Sequence, residues 1–351
     1  MKPFITVVMP VRNEELFIEG TLQQLLGQDY PEDRYEILVV DGMSDDGTRQ
    51  KVTELSTKYR QICMLENPRR LSSSGRNIGF KCGRGEYFVV VDGHCYIPDN
   101  QLFNSLVECF EKSGADCLGR PQTLDPPGLN FFQQAVALAR SSKIGHSGDS
   151  LIYGEYEGYA SPLSNGAMYR KEVFTKVGYV DEQFDACEDL EHNYRIERAG
   201  LRAYCSPKLA VRYYPRDTLK GLVRQMVRYG RGRYRFVCKH PKALNVNQLV
   251  PAGFALGLVL LLLVWTVDAI SFFGVNIFNQ GSIRASGVFP PSLNWGLSLV
   301  YSCYTILLLV ESSRLAFGKG LKFFVVLPLI FFAIHGGLGT GFLLETATKK
   351  I

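Results

Sequence analysis

Residues 87–94 read YFVVVDGH. Tyr87 to Val91 is a continuous run of apolar, β-favouring side chains, the composition of a strand covered on both faces, and Asp92-Gly93-His94 follows at its carboxyl end. Such a strand belongs in a parallel sheet layered with helices, where ligands bind outside the carboxyl ends of the strands. Moving outward, Phe4 to Met9 is a second β-rich run, closed by Pro10-Val11-Arg12-Asn13-Glu14. Glu36 to Val40 is a third, closed by Asp41-Gly42-Met43-Ser44-Asp45-Asp46-Gly47-Thr48. Glu15 to Leu26, Gly47 to Tyr59 and Leu129 to Arg140 have helical character, so residues 1–215 read as an α/β domain. Each polar strand end, taken alone, reads as a turn or helix cap. Three together point to one crevice.

No G-x-G-x-x-G follows the first strand and no G-x-x-x-x-G-K-[ST] occurs, so neither a dinucleotide turn nor an ATPase phosphate cradle is supported. The nine cysteines include no C-x-x-C pair, which fits reduced thiols better than a zinc or redox centre. Met1 to Pro10 lacks the features of a secretory signal, so the expectation is a domain that stays in the cytoplasm. The net charge of +5 is unevenly held. Pro207 to Lys242 carries eleven Lys or Arg against Asp217, a local +10, and the rest of the chain sums to −5. That distribution argues against a uniformly basic nucleic-acid binder.

Hydrophobicity concentrates at the other end. Leu249 to Ala269 (LVPAGFALGLVLLLLVWTVDA) holds one charge, Asp268, and is long enough to cross about 30 Å of hydrocarbon. Ser292 to Val310 and Phe323 to Leu344 are also long enough, although His335 and the glycines at 336, 337, 339 and 341 weaken the third reading. Loop charge orients them: the basic stretch precedes the first span, Arg314, Lys319 and Lys322 follow the second, and Arg284 alone lies between first and second. Lys349 and Lys350 conflict with this pattern if all three cross, so the third is alternatively re-entrant or superficial. Leu219, Leu222, Val223, Met226 and Val227 share one helical face, while Arg216, Lys220, Arg224 and Arg228 step by four. This amphipathic basic helix either packs on the soluble domain or, as its place before a span favours, lies among anionic head groups. The expected organisation is 1–215 an α/β domain, 216–245 basic and interfacial, and 246–351 with two to three transmembrane helices.

The runs VVMPVRNEE, VVDGMSDDGT, GRNIGFKCGRGEYFVVVDGH and GYVDEQFDACEDLEHNYRIERAG, in that order, resemble glycosyltransferase family 2, inverting enzymes of the GT-A nucleotide-sugar-binding, Rossmann-like fold. The similarity extends over residues 4–235 and is nearest the membrane-attached branch typified by succinoglycan-type exopolysaccharide glucosyltransferases. It implies that Pro10, Arg12, Asn13 and Glu14 border the nucleotide, with Asp41 on the base and Arg76 and Asn77 beside it. It also implies that Asp92 contacts ribose or metal, that Asp92 and His94 match the metal-binding D-x-D, and that Asp189 of the Glu188-Asp189 pair is the catalytic base. Gln225, Arg228 and Tyr229 resemble a Q-x-x-R-W segment, with tyrosine replacing tryptophan. With Glu188 they are candidates for positioning acceptor or diphosphate.

The resemblance therefore implies a metal-dependent, inverting glycosyltransferase of the inner (plasma) membrane, multi-pass, with its catalytic domain cytoplasmic. It would move a sugar from a nucleotide donor, UDP-linked, to a lipid-linked or growing polysaccharide acceptor, using Mg2+ or Mn2+. His94 departs from the usual acid, and imidazole suits manganese better than the harder magnesium. The rival readings are a processive polysaccharide synthase and a non-catalytic membrane scaffold.

Overall fold

The computed structural model describes residues 1–146, 151–164, 166–278 and 289–348. Arg284, Lys349 and Lys350, used above to orient the spans, lie outside them. The chain folds as two compact units, Met1–Ala137 with Ser141–Pro215, and Leu138–Arg140 with Arg216–Ile351.

The first unit begins β1 (Ile5–Val11), α1 (Ile18–Leu26), β2 (Tyr35–Asp41), α2 (Thr48–Lys58), β3 (Ile62–Glu66), α3 (Ser72–Cys82) and β4 (Tyr87–Val90). It continues β5 (Cys95–Tyr96), α4 (Leu102–Ser113), β6 (Cys117–Gly119), α5 (Phe131–Arg140), β7 (Gly158–Ala160) and β8 (Gly166–Arg170). Then come α6 (Lys171–Val177), α7 (Glu188–Arg198), β9 (Ala203–Cys205) and β10 (Arg212–Tyr213). Eight strands form one sheet in the order β3-β2-β1-β4-β8-β6-β9-β7, and β10 pairs with β5 in a separate ribbon.

β1, β2, β3 and β4 are mutually parallel, and β8 runs antiparallel to both β4 and β6. The apolar runs are continuous because both sheet faces are covered. Ile5, Val7 and Met9 join a core with Leu22, Phe103 and Leu106, while Val8, Phe88 and Val90 join Phe80, Phe174 and Ile196 on the opposite side. The alternation follows from the two-residue pleat. Three strands expected from sequence are present in type, with β1 running on through Pro10 to Val11 and β2 reaching Asp41. The chain proceeds from β1 outward through β2 to β3 and then returns to β4 on β1's other side. The strand order therefore reverses between β1 and β4, which is where an open α/β sheet opens a crevice.

The second unit contains α8 (Leu219–Lys239), α9 (Val246–Phe278), α10 (Pro291–Lys319) and α11 (Leu327–Thr348). Thr218 caps α8, its hydroxyl accepting the Gly221 N–H at 3.2 Å. Gln248–Ile270, Ser292–Lys319 and Leu327–Thr348 are long and apolar enough to cross a membrane. The third apolar run starts its α-helix later than Phe323, which instead closes a short 3-10 turn. The glycines of α11 are contact points: a methyl on Gly337 would sit 2.7 Å from Met226 Cβ, and one on Gly341 would strike the Val227 backbone. Gly339 meets Pro251 and Ala255 of α9 in the same way. Hence α8's apolar face, which the sequence leaves between protein and lipid with lipid favoured, has Leu222 and Met226 buried, with α11 against Met226.

Two glycines of the first unit test this packing in opposite directions. A side chain at Gly79 on α3 would enter the Val8 side chain on β1, whereas Gly20 on α1 has nothing within 4 Å. Gly79→Val should lower the thermal unfolding midpoint, at a cost of about 1–3 kcal/mol. Gly20→Ala should raise it by about 0.4–1 kcal/mol through a stiffer unfolded chain.

Candidate active site

The crevice is built from three loops that hold one another. Asn13 has a left-handed backbone (φ 57°) and reaches the loop after β2, its Nδ2 donating to Asp45 Oδ1 at 2.7 Å while its Oδ1 accepts the Asp45 N–H at 3.1 Å. Its own N–H donates to Ser44 Oγ at 2.9 Å. Glu14 joins all three loops: its N–H donates to Thr48 Oγ1 at 2.8 Å, and its Oε1 lies 2.8 Å from His94 Nδ1. The Glu14–His94 pair thus spans the position where the strand order reverses. Gly93 makes room for it, since a Cβ there would lie 2.9 Å from Glu14 Cγ. From below, the Thr21 hydroxyl of α1 is 2.8 Å from the Gly93 carbonyl and 2.9 Å from that of Cys95, which fixes the turn that presents Asp92 and His94.

Asp41 ends β2 with its side chain almost fully buried. Its carboxylate accepts the Ser44 N–H at 3.1 Å and pairs with Arg49 Nη1 at 3.4 Å, so it shapes its own turn. Pro10 packs beneath the start of α3, where a Cβ on Gly75 would lie 3.1 Å from Pro10 Cβ, and Arg12 is exposed at the crevice edge. Asn77 is buried on α3 and uses both amide atoms on one segment: Nδ2 donates to the Val180 carbonyl and to Glu182 Oε1, each at 2.8 Å, and Oδ1 accepts the Val180 N–H at 2.9 Å.

Its neighbour on α3, Arg76, is the electrostatic centre. Its Nη2 is 3.5 Å from Glu188 Oε1, and its buried Nε has no hydrogen-bond partner among the described residues. Burial opposes its charge, yet Glu188, Asp189 and Asp92 together outweigh that effect and hold its pKa above the ordinary value. Glu188 is itself buried, and burial pushes its pKa up; Arg76 pulls the other way and Asp189 adds to the rise. Asp189, by contrast, is exposed in the first turn of α7, its Oδ1 accepting the Leu190 N–H at 2.8 Å. An acid at this helix end is favoured by the macrodipole. The structure therefore pairs Glu188 with Arg76, on which the charges of Asp189 and Asp92 also act, while Asp41 engages Arg49.

Gln225, Arg228 and Tyr229 lie on α8 in the second unit, with Gln225 Nε2 donating to Tyr229 Oη at 3.3 Å and Arg228 exposed. Among the described residues no three His, Cys, Asp or Glu side chains are grouped closely enough to cage a metal ion by themselves.

Arg120 carries no sequence signal. It is 0% exposed. Its Nη2 donates to the Val90 carbonyl at 2.7 Å and to Tyr213 Oη at 3.1 Å, while Nε and Nη1 have no hydrogen-bond partner among the described residues. Burial drives the Tyr213 pKa far up, with Cys95 and Asp92 adding to the rise and Arg120 opposing it. Arg120 and Asp92 therefore act on the same phenol, and the guanidinium underlies the turn after β4.

Comparison with known proteins identifies the family and the fold. The description "Glycosyl transferase family 2" matches residues 6–178. The succinoglycan biosynthesis protein ExoA of Rhizobium meliloti (strain 1021) is 33% identical over 264 residues, 74% of this chain and 78% of the relative. A Methanococcus voltae enzyme, dolichyl N-acetyl-alpha-D-glucosaminyl phosphate 3-beta-D-2,3-diacetamido-2,3-dideoxy-beta-D-glucuronosyltransferase, is 24% identical over 345 residues, 97% of this chain and 96% of the relative. Among solved structures, the mannosyltransferase PcManGT of Pyrobaculum calidifontis, in complex with GDP-Man and Mn2+, aligns with a TM-score of 0.57 at 18% identity, covering 96% of this chain and 87% of its own. That likeness shows a shared fold.

The helix that carries Asp189 also carries a buried histidine. Burial, aided by Arg195 and opposed by the Gly178 carbonyl bond, lowers the His192 pKa to about 4. The unfolded chain then takes up a proton near pH 6.5 that the folded chain refuses. Stability from this site is full above pH 6.5 and falls as pH drops towards 4, by about 3 kcal/mol at about 1.4 kcal/mol per unit. Thermal unfolding across that window should show the loss in the wild type and a flatter profile in His192→Gln.

Proposed function

Because the chain belongs to glycosyl transferase family 2, we propose that it transfers a sugar, with inversion, from a UDP-linked donor to a lipid-linked or growing polysaccharide acceptor. The reading places this at the cytoplasmic face of the inner membrane, with residues 1–215 catalytic, 216–245 basic and 246–351 the membrane part. The observation that carries it is the Arg76–Glu188 pair at 3.5 Å, which holds onto α3 the start of the helix bearing exposed Asp189, together with the Glu14–His94 bond across the reversal of strand order.

Inverting transfer needs the acceptor hydroxyl to form a bond to the anomeric carbon while the bond from that carbon to the diphosphate breaks on the opposite face. The hydroxyl proton must go to a base. Asp189 suits this role because it is exposed and stands at the helix end, whereas Glu188 is buried against Arg76 and serves to hold that guanidinium. The departing diphosphate gains negative charge in a region that already holds Glu14, Asp92, Glu188 and Asp189. A divalent cation fits that imbalance, and the Pyrobaculum mannosyltransferase was solved with Mn2+. Asp92 and His94 would hold it, with the Glu14 carboxylate at His94 Nδ1 orienting the imidazole as a carboxylate orients a ligating histidine. When bound, such an ion neutralises phosphate oxygens as a Lewis acid. Arg12 and the Pro10, Asn13 and Asp41 turns border the nucleotide, Asn77 keeps the 180–182 segment in place, and Gln225, Arg228 and Tyr229 serve the acceptor.

Asp189→Asn should lower kcat by about 10²–10⁴-fold with nucleotide binding unchanged, read by nucleoside diphosphate release and by calorimetry. Full turnover in that variant would remove the base. Glu14→Gln should raise the Mn2+ concentration needed for half-maximal activity about 10-fold or more. The anomeric configuration of the product, read by NMR, tests inversion, and product length on a defined acceptor separates single addition from processive synthesis.

A further inference from the structure

The three apolar helices do not have equal claims on the bilayer. α11, Leu327–Thr348, is about 33 Å long at 1.5 Å per residue, barely the ~30 Å of hydrocarbon. From Gly337 to Glu345 it runs along α8 at backbone contact. Met226 faces Gly337, and Val227 faces Gly341. Gly230 sits among Leu338, Gly341 and Phe342, and the Tyr234 ring lies 5.2 Å from that of Phe342. Arg235 Nε reaches Glu345 Oε1 at 2.7 Å, with Arg231 Nε 4.0 Å from Oε2. α8 also carries Lys220, Arg224, Arg228, Arg233 and Lys239, and Lys220, Arg224 and Arg228 are exposed. At about 3 kcal/mol for each Arg or Lys at a membrane centre, one carboxylate does not make such a helix admissible to hydrocarbon. The half of α11 bound to it stays outside as well. What remains, Leu327 to Gly336, reaches about 15 Å, half the thickness required.

We infer that α11 does not cross the bilayer. α9 and α10 cross as a pair, and α11 lies with α8 on the side from which α9 starts, the two docked on an anionic lipid head-group surface. Coverage agrees: 44% of the apolar stretch of α11 is buried in protein against 6% for α10, which is bare as a lipid-facing helix is. Charge agrees too. Lys319 and Lys322 fall on the same side as α8, and Lys349 and Lys350 in the sequence no longer break the loop-charge pattern. The exposed α8 cations, with exposed Val223 beside them, supply the complement to anionic head groups.

The inference rests on the membrane reading of the apolar helices, and one experiment separates the two. The protein, with Cys63, Cys82, Cys187 and Cys303 changed to serine, is labelled with an impermeant maleimide in right-side-out and inverted vesicles. Cys238 on α8 marks one face, and in separate variants that also carry Cys238→Ser, Ser292→Cys at the start of α10 marks the other and Thr348→Cys reports the end of α11. Thr348→Cys should label from the Cys238 face, opposite Ser292→Cys. Labelling from the Ser292→Cys face overturns the inference while leaving the membrane reading intact. Cys238 and Ser292→Cys labelling from one face overturns both. For the surface itself, Val223→Cys in proteoliposomes should label several-fold more slowly with phosphatidylglycerol than with phosphatidylcholine alone; equal rates overturn head-group docking.

Discussion

A guanidinium largely withdrawn from water must be matched by charge nearby, and Arg76 sets this requirement where α3 meets α7. Its ion-pair partner, Glu188, comes from far along the sequence, at the start of α7, and the charges of Asp189 there and of Asp92 at the end of β4 also act on it. Bringing α7 to α3 is therefore a condition of burying Arg76 at all. Asn77, its neighbour, works on the same junction, tying the 180–182 segment by three hydrogen bonds. Breaking such a buried pair by removing one member leaves an uncompensated charge, which is far more costly than never having built it. The geometry that positions a solvent-open carboxylate beside a buried one is thus a by-product of stabilising one arginine.

The polar strand ends show a second economy of means. Asn13, Glu14 and Asp41 have the chemistry of ligand contacts, yet each first holds a loop: Asn13 clasps Asp45, Glu14 ties Thr48 and His94, and Asp41 fixes Ser44 and Arg49. Loops with these side chains cross-linked are stiff before anything binds, so less ordering is lost when a ligand arrives.

Much of this was legible in the sequence, and the limits have physical causes. Strands covered on both faces announce themselves as apolar runs, so β1, β2 and β4 were readable. β6, β7 and β9 are three residues each, too short for any period, and owe their conformation to the sheet they join. The motifs located the site segments, but sequence spacing cannot say which polar group holds which loop. Nor can it reveal Arg120, whose burial follows from β6 ending beneath the turn after β4 rather than from its neighbours in the chain.

The second unit shows why amphipathicity alone leaves an ambiguity. A stripe of Leu222, Met226 and Val227 requires cover, but its spacing is identical whether lipid or protein provides it. What decides is the complementary surface, and here that is a glycine row. Gly337 and Gly341 on α11, with Gly230 on α8, let two backbones approach until side chains no longer separate them. Glycines that weaken the claim of α11 as an isolated span are the same residues that make it a partner for a charged helix. Once that partner is fixed, the arginines on α8 constrain where α11 can lie more strongly than its own hydrophobicity does.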